Sequence, residues 1–428
     1  MGIPANHPQR FALNYELHAR PSEVIDIPEQ ASYLALATDP SNRQAEYECI
    51  VELCTRYGVP PPAPDLNHFQ LDVGVFRLKW ERRTECNSYT FFRQGAFETP
   101  FADPVIAHVP QDWLKSLPGE VLVAAHVALR QTPKPAPSIE VLSAFFDGNP
   151  INGSRIGDGA ATVVADFRIH ADGFSRFLID DVRLAPLQAG RVVQRLFEIE
   201  TYLMRALLTY PQARAAVPVL IDADHQLATL IGEMAEVTSK EEPELLDRLT
   251  RLAAMVESTI SSTHHQILGA RAYKDLVDRR ITELREERLA GLPTLREFVE
   301  RRLLPAMKTC ETVATLQETL SARISRASDL LRTRVDITLQ QQNQAILSTT
   351  AKRAKLQLHL QQTVEGLSVA AISYYVVGLI GYLARAFKAA GGGLHPDLVT
   401  GIAIPIVALL AALSIRHIRR AVQRAAKQ

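Results

Sequence analysis

Two runs near the C-terminus constrain this chain more than any other feature. No charged residue occurs between Glu365 and Arg385, where the sequence reads GLSVAAISYYVVGLIGYLA. A second uncharged run, LVTGIAIPIVALLAALSI, lies between Asp397 and Arg416. Each has about 18 or 19 residues, and at about 1.5 Å per residue that gives about 27–29 Å of helix, close to the hydrocarbon thickness of a bilayer. One such run suits the buried helix of a soluble core. Two in tandem, joined by a link containing Gly391, Gly392 and Gly393, predict a transmembrane helical hairpin over 366–415.

Flanking charges orient the hairpin. Lys352, Arg353 and Lys355 precede the first run, and Arg416, Arg419, Arg420, Arg424 and Lys427 follow the second. The link carries only Arg385 and Lys388, with Asp397 beside them. The positive-inside rule therefore puts the large N-terminal part and the basic tail, 416–428, in the cytoplasm. Within the first run, Ser373, Gly378 and Gly381 are small enough for close helix packing. Tyr374 and Tyr382 suit a helix interior or an interfacial belt, and the same five residues are the ones to line a pore in a channel-like assembly. The runs contain no acid or base, the usual mark of a proton path.

At 428 residues the chain has room for two soluble modules besides the hairpin. Its 47 lysines and arginines balance 47 aspartates and glutamates, which argues against a dedicated nucleic-acid binder. Cys49, Cys54, Cys86 and Cys310 form no CxxC pair and fit reduced cytoplasmic thiols. The N-terminal MGIPANHPQRFALNYELHARP has no apolar core, so a cleaved signal peptide is not expected. Targeting then falls to the hairpin.

Residues 1–30 read as an extended arm, punctuated by Pro4, Pro8, Pro21 and Pro28 and laid across the domain that follows. Over 31–185 the pattern predicts an α+β domain with a mostly antiparallel sheet. Strands are expected at 32–38, 68–81, 88–93, 121–129, within 155–170 and at 174–180. Helices are expected at 42–57, 112–117 and 138–145. Turns fall at Gly157-Asp158-Gly159 and Asp172-Gly173. From Pro186 onward helical periodicity replaces alternation and no further strand is expected. Helices are predicted at 187–208, stopped by Pro211, at 223–290 with Pro243 as a point of interruption, and from Thr294, whose spacing to Glu297 makes a capping box.

Beyond Pro305 neither proline nor glycine occurs until Gly366. Apolar residues at Val313, Leu316, Leu320, Ile324, Ala327, Leu331 and Val335 recur with a mean step of about 3.67, the eleven-residue repeat of a nearly straight helix. About sixty such residues make a rod of about 90 Å. Gln340, Gln341, Gln342, Gln344, Gln357, Gln361 and Gln362 leave its later half polar. Two readings stay open for this long-helix, coiled-coil stalk over 186–365. One is a solvated face of a helical hairpin packed on 223–290, and the other a stalk whose polar face lines a cavity in an oligomer.

Catalytic signatures are missing. The triple glycine lacks the lysine and hydroxyl residue of a phosphate loop, and no G-x-S-x-G elbow occurs. Adjacent His264 and His265 point to different sides of a helix and do not imitate a zinc pair. Asp166, His170, Asp172, Asp180 and Asp181 gather around one hairpin, where alternation puts Asp166 and His170 on one face. They read either as a metal or acid–base pair or as turn aspartates with a strand-edge histidine. His18 and Arg20, in the tetrad HARP, read as an anion or partner anchor, or as a pin for the arm. No catalytic residue, metal or cofactor is assigned.

The blocks HPQRFALNYELHARP, LAPLQAGRVVQRLFEIETYLMRALL and LSVAAISYYVVGLIGYLARAFKAAG with GIAIPIVALL resemble a bacterial family of membrane-anchored proteins of unknown function. The resemblance covers nearly the whole chain, implies a bacterial inner membrane, and brings no catalytic residue with it. The plan of a cytoplasmic α+β domain, long helices and two final spans is also similar to CorA-type magnesium channels. Where those carry Gly-Met-Asn after the first span, this chain has Gly381-Tyr382-Leu383-Ala384-Arg385. The expectation is a homo-oligomeric scaffold or sensor held by the lipid bilayer, with a CorA-like channel passing an ion as the alternative.

Overall fold

A computed structural model describes all residues except 1–3, 5, 12, 15–20, 84–85, 237–240, 392, 394 and 426–428. Two compact units result, Met1–Glu236 with Glu244–Ser328, and Val237–Pro243 with Asp329–Gln428.

The first unit is built on one sheet. Its strands are β1 (Glu29–Ala37), β2 (His68–Asp72), β3 (Arg77–Arg82), β4 (Asn87–Gln94), β5 (Glu120–Gln131), β6 (Asn152–Ile156), β7 (Ala161–Ala165), β8 (Ser175–Asp181) and β9 (Glu287–Arg288). Their spatial order is β2-β3-β4-β1-β5-β8-β7-β6-β9. Every pairing is antiparallel except β5 with β8.

Both faces of the sheet are covered, which explains runs such as VLVAAHVAL that lack a polar phase. Ala31, Tyr33 and Ala35 of β1 and Val123, Ala125, Val127 and Leu129 of β5 enter one core. That core is completed by α4 (Pro186–Leu207), α6 (Glu242–Leu284) and the start of α7 (Leu295–Ala389), through Val192, Leu196, Ile281, Val299 and Leu303. The alternate residues Leu34 and Leu36 meet α1 (Arg43–Tyr57) and α2 (Gln111–Ser116) around Trp80, Tyr89 and Trp113. Farther along, Ala128, Val164 and Leu178 pack with Leu142 of α3 (Ile139–Ala144) and with Phe146.

Three expectations need correction. The alternating stretch 68–81 is two strands, because Asp72-Val73-Gly74-Val75 turns the chain. Gly74 sits at φ +80°, its N–H donates to Asp72 Oδ1 at 2.8 Å, and the alternation changes phase there. The helix expected from 223 begins earlier, as α5 (Thr209–Glu236), since Pro211 in a first turn removes no hydrogen bond. A strand does follow Pro186: Arg285 at φ +51° ends α6, and β9 pairs Glu287 with Arg155 and Arg288 with Ser154. Two residues are too few to show alternation.

The arm departs partly from its reading. Arg10, Phe11, Leu13 and Asn14 are helical, while 21–26 run without regular structure along the first unit. At Thr294 the predicted capping box forms in both directions. The Glu297 N–H donates to Thr294 Oγ1, and the Thr294 N–H to Glu297 Oε2, each at 3.1 Å. Along α7, Val313, Leu320, Ile324 and Ala327 are buried as the repeat requires. Leu316 is only half-buried. Gln317 takes the inward position beside it, with Nε2 donating to Thr263 Oγ1 at 2.8 Å.

In the second unit, α7 continues to Ala389, and α8 covers Pro396–Ala425. Every residue over 341–365 is exposed.

Candidate functional site

The apolar runs fall where the sequence puts them, at the end of α7 and in α8, and both helices are long and apolar enough to cross a bilayer. Their large side chains have almost no protein around them. Tyr374 is 78% exposed, Tyr382 70% and Leu409 62%, with Ile372, Leu379, Leu398 and Ile406 in the same condition. What is covered is small. Gly381 and Ala384 of α7 and Ala403 of α8 are buried, and a Cβ added at Gly381 would stand 3.2 Å from Thr400 Oγ1.

Of the other residues singled out in the first apolar run, Ser373 is half-buried and lies two helical turns from Gly381 on the same face. Gly378 lies off that face, with nothing within 4 Å of where a Cβ would stand. Tyr374 packs edge-on with Tyr375, and Arg385 lies over the Tyr382 ring at 5.5 Å. His18 and Arg20 lie outside the described residues.

The polar residues around the β7–β8 turn separate into structural and clustered ones. Asp180 and Asp181 are structural: Asp180 accepts from Arg130 Nε at 2.6 Å, and Asp181 from Gln131 Nε2 at 3.0 Å and the Leu184 N–H at 2.7 Å. Asp166 and His170 do meet. His170 Nε2 is 3.0 Å from Asp166 Oδ2, and its Nδ1 is 2.7 Å from Asp147 Oδ2. The imidazole is thus bracketed by a buried and an exposed carboxylate, and the His170 hydrogen bond holds the Asp147 carboxyl below its usual range. Asp166 also accepts from Asn149 Nδ2 at 3.0 Å and from the Arg168 N–H at 3.2 Å. Among the described residues no group of three or more His, Cys, Asp or Glu is placed to hold a metal ion.

A second histidine escaped the sequence reading. His126 interrupts the apolar β5, with Nδ1 2.9 Å from Ser32 Oγ and Nε2 3.7 Å from Asp172 Oδ2. The order serine–histidine–aspartate imitates a hydrolase triad, yet Ser32 is 0% exposed and its Oγ already accepts from the Ile106 N–H at 3.1 Å. No substrate reaches a hydroxyl so enclosed. The ring stacks on Phe174 at 4.0 Å, and burial pushes its pKa down to about 4, keeping it neutral. This set pins β1, β5 and the β7–β8 turn together. Nearby, Ser175 Oγ donates to Glu200 Oε2 at 2.8 Å, and burial lifts the Glu200 carboxyl to about 7.

These features define a mixed α+β protein that ends in long helices, two of them apolar and largely uncovered. The chain belongs to the family described as Protein of unknown function (DUF3422), which matches residues 5–422. No curated protein and no solved structure matches it, and the likeness to CorA-type channels gains no support.

Proposed function

We propose that this is a membrane-anchored, homo-oligomeric scaffold of the bacterial inner membrane. In this reading the end of α7 and α8 cross the bilayer as a hairpin, with the sheet-bearing unit and the basic tail on the cytoplasmic side. The observation that carries it is the exposure of nearly every large side chain in two uncharged runs. Each large apolar side chain removed from water is worth about 1.5–3 kcal/mol, so surfaces of this size require an apolar environment. The cations before and after the pair of runs supply the orientation.

Self-association is supported by 341–365. A helical stretch exposed on all sides gains nothing from tertiary packing, the source of most helical stability in proteins. Ile346, Leu347, Leu356, Leu360 and Val364 are all more than half exposed there and suit pairing with a second copy.

The test is fractionation with topology labelling. The chain should stay with membranes after an alkaline carbonate wash. A cysteine placed in the link by Ala390→Cys should react with an impermeant maleimide added from the periplasmic side, while the native buried thiols do not. Recovery in the soluble fraction, or labelling only after lysis, overturns the anchor or its orientation. Mass measurement in detergent then reads the subunit number: a dimer or trimer fits a scaffold, and a ring of five favours the channel.

A further inference from the structure

A cleft of about 550 Å³ opens in the first unit beside the Asp166–His170 pair. That volume is in the range of small-molecule sites. Its charged lining is Asp166, Arg168, Arg301 and Arg302, so three guanidinium groups share the cleft with one buried carboxylate.

One of these arginines is held in place by the fold. Arg302 lies over the Phe298 ring with its Cζ 3.6 Å from the centroid, and its Nη1 donates to the Phe298 carbonyl at 3.1 Å. The ring's other face is taken by Phe167, stacked at 4.3 Å. Guanidinium carries five donors in a rigid fork, so this anchoring leaves most of them unused. Phe167 itself sits at φ +53°, a conformation bulky residues rarely adopt, and its edge contact with Phe177 at 5.7 Å helps hold it. The twist turns the chain so that Arg168, exposed and without an ion pair among the described residues, lines the cleft.

We propose that this cleft binds a small phosphate monoester that also carries a hydroxyl or amino donor. A carboxylate offers two oxygens and satisfies one arginine fork. A terminal phosphate offers three and can engage guanidinium groups from more than one side. The Asp166 side chain is enclosed and repels a bare anion without meeting it, while holding Asn149 Nδ2 at 3.0 Å leaves the half-buried Asn149 side-chain oxygen to accept from a neighbouring donor. A cation is disfavoured by three arginines and a single carboxylate. The proposal is independent of the membrane reading, since every residue it uses is in the first unit.

Calorimetric titration of the full chain in a phosphate-free detergent tests it. Glycerol 3-phosphate is the probe, with inorganic phosphate, glycerol and octanoyl lysophosphatidic acid, a short-chain lipid that keeps one glycerol hydroxyl, beside it. Glycerol 3-phosphate or the short-chain lipid should saturate, more tightly than inorganic phosphate, and glycerol should not. Which of the two binds better tells a free ester from a lipid headgroup. Arg168→Gln and Arg302→Gln, both at exposed positions, should each weaken binding about tenfold or more. Arg168→Gln should leave unliganded thermal unfolding unchanged, and Arg302→Gln, which gives up its contact with Phe298, should lower it only slightly. Failure of every phosphate probe to saturate, or equal binding by both variants and the wild type, overturns the site.

Discussion

A Cβ built on Gly190 would stand 1.8 Å from the carbonyl oxygen of Glu23. The arm lies directly against the first turns of α4, and glycine is the only residue that admits it. The Ile25 N–H donates to Pro186 O at 3.2 Å, Ser22 Oγ to Gln194 Oε1 at 3.1 Å, and Lys79 Nζ to Pro21 O at 2.8 Å. Ile25 is 2% exposed as a result.

Gly190→Ala should therefore push the arm off α4. Within a helix the exchange ordinarily stabilises by about 1 kcal/mol. Here it should destabilise by about 2–4 kcal/mol, from the lost burial of Ile25 and the broken hydrogen bonds. Thermal unfolding should fall, and limited proteolysis should cut the arm earlier. An unchanged or raised midpoint would show that the arm does not lie there.

Glu46 is the second position where one side chain carries several others. It is 1% exposed, and its Oε1 accepts from Trp80 Nε1 at 2.8 Å and the Tyr89 hydroxyl at 3.3 Å. Its Oε2 accepts from Arg82 Nε at 2.8 Å. Glu46→Ala should cost about 3–5 kcal/mol, because buried donors and a cation lose their partner together. Glu46→Gln keeps part of the set and should lie between. Denaturant unfolding of both variants checks the order.

Most of the sheet was legible because apolar or alternating runs bounded by turn residues mark β1, β4, β5 and β8. Reading failed where a signal was too short or non-local. β9 has two residues, and the β2–β3 turn was visible only as a change of phase after Val75. Alternation along a strand pairs Asp166 with His170, but β7 ends at Ala165, and it is the irregular loop after it, turned at Phe167, that brings them together. Asp147 lies far enough along the chain that only the folded sheet brings it to the same imidazole. Glu46 looked like one more helix acid, since nothing in its neighbourhood shows that Trp80 and Tyr89 converge on it. The arginine cleft joins α7 to the loop after β7, and no local pattern announces such a meeting.

Glu200 gives a pH prediction. Its group keeps some surface at one edge, but the carboxyl is enclosed, and burial lifts its folded pKa from 4.5 to about 7. A raised folded pKa means the native state holds the proton longer. The associated stability is full below about pH 4.5 and is lost as pH rises to about 7. His126, pushed down to about 4, acts oppositely: its contribution is full above about 6.5 and is lost as pH falls. The two largely offset one another in the wild type. Glu200→Gln removes one side, so its stability relative to wild type should rise between pH 5 and 8 by on the order of 3 kcal/mol. Unfolding midpoints of both proteins at unit pH steps measure this, and parallel curves refute it.

The anchor predicts that two closely matched changes, each an exposed branched aliphatic residue replaced by aspartate, act differently. Ile406 lies in the middle of the α8 run, and Leu356 lies in α7 before its uncharged run begins. Both side chains are more than half exposed. Were water around both, an exposed apolar residue replaced by aspartate would alter stability by about 0.5 kcal/mol or less in each case. With α8 in lipid, Ile406→Asp carries an added penalty of about 2.5–3.5 kcal/mol for a charge near the bilayer centre. Insertion of the second span should then fail in a measurable fraction of molecules, seen as lower periplasmic labelling of the Ala390→Cys link. Leu356→Asp should label like its parent, because its ring of neighbours meets water or another protein helix. Equal labelling of both variants would remove the physical basis for the span, since only a medium of low dielectric distinguishes the two sites.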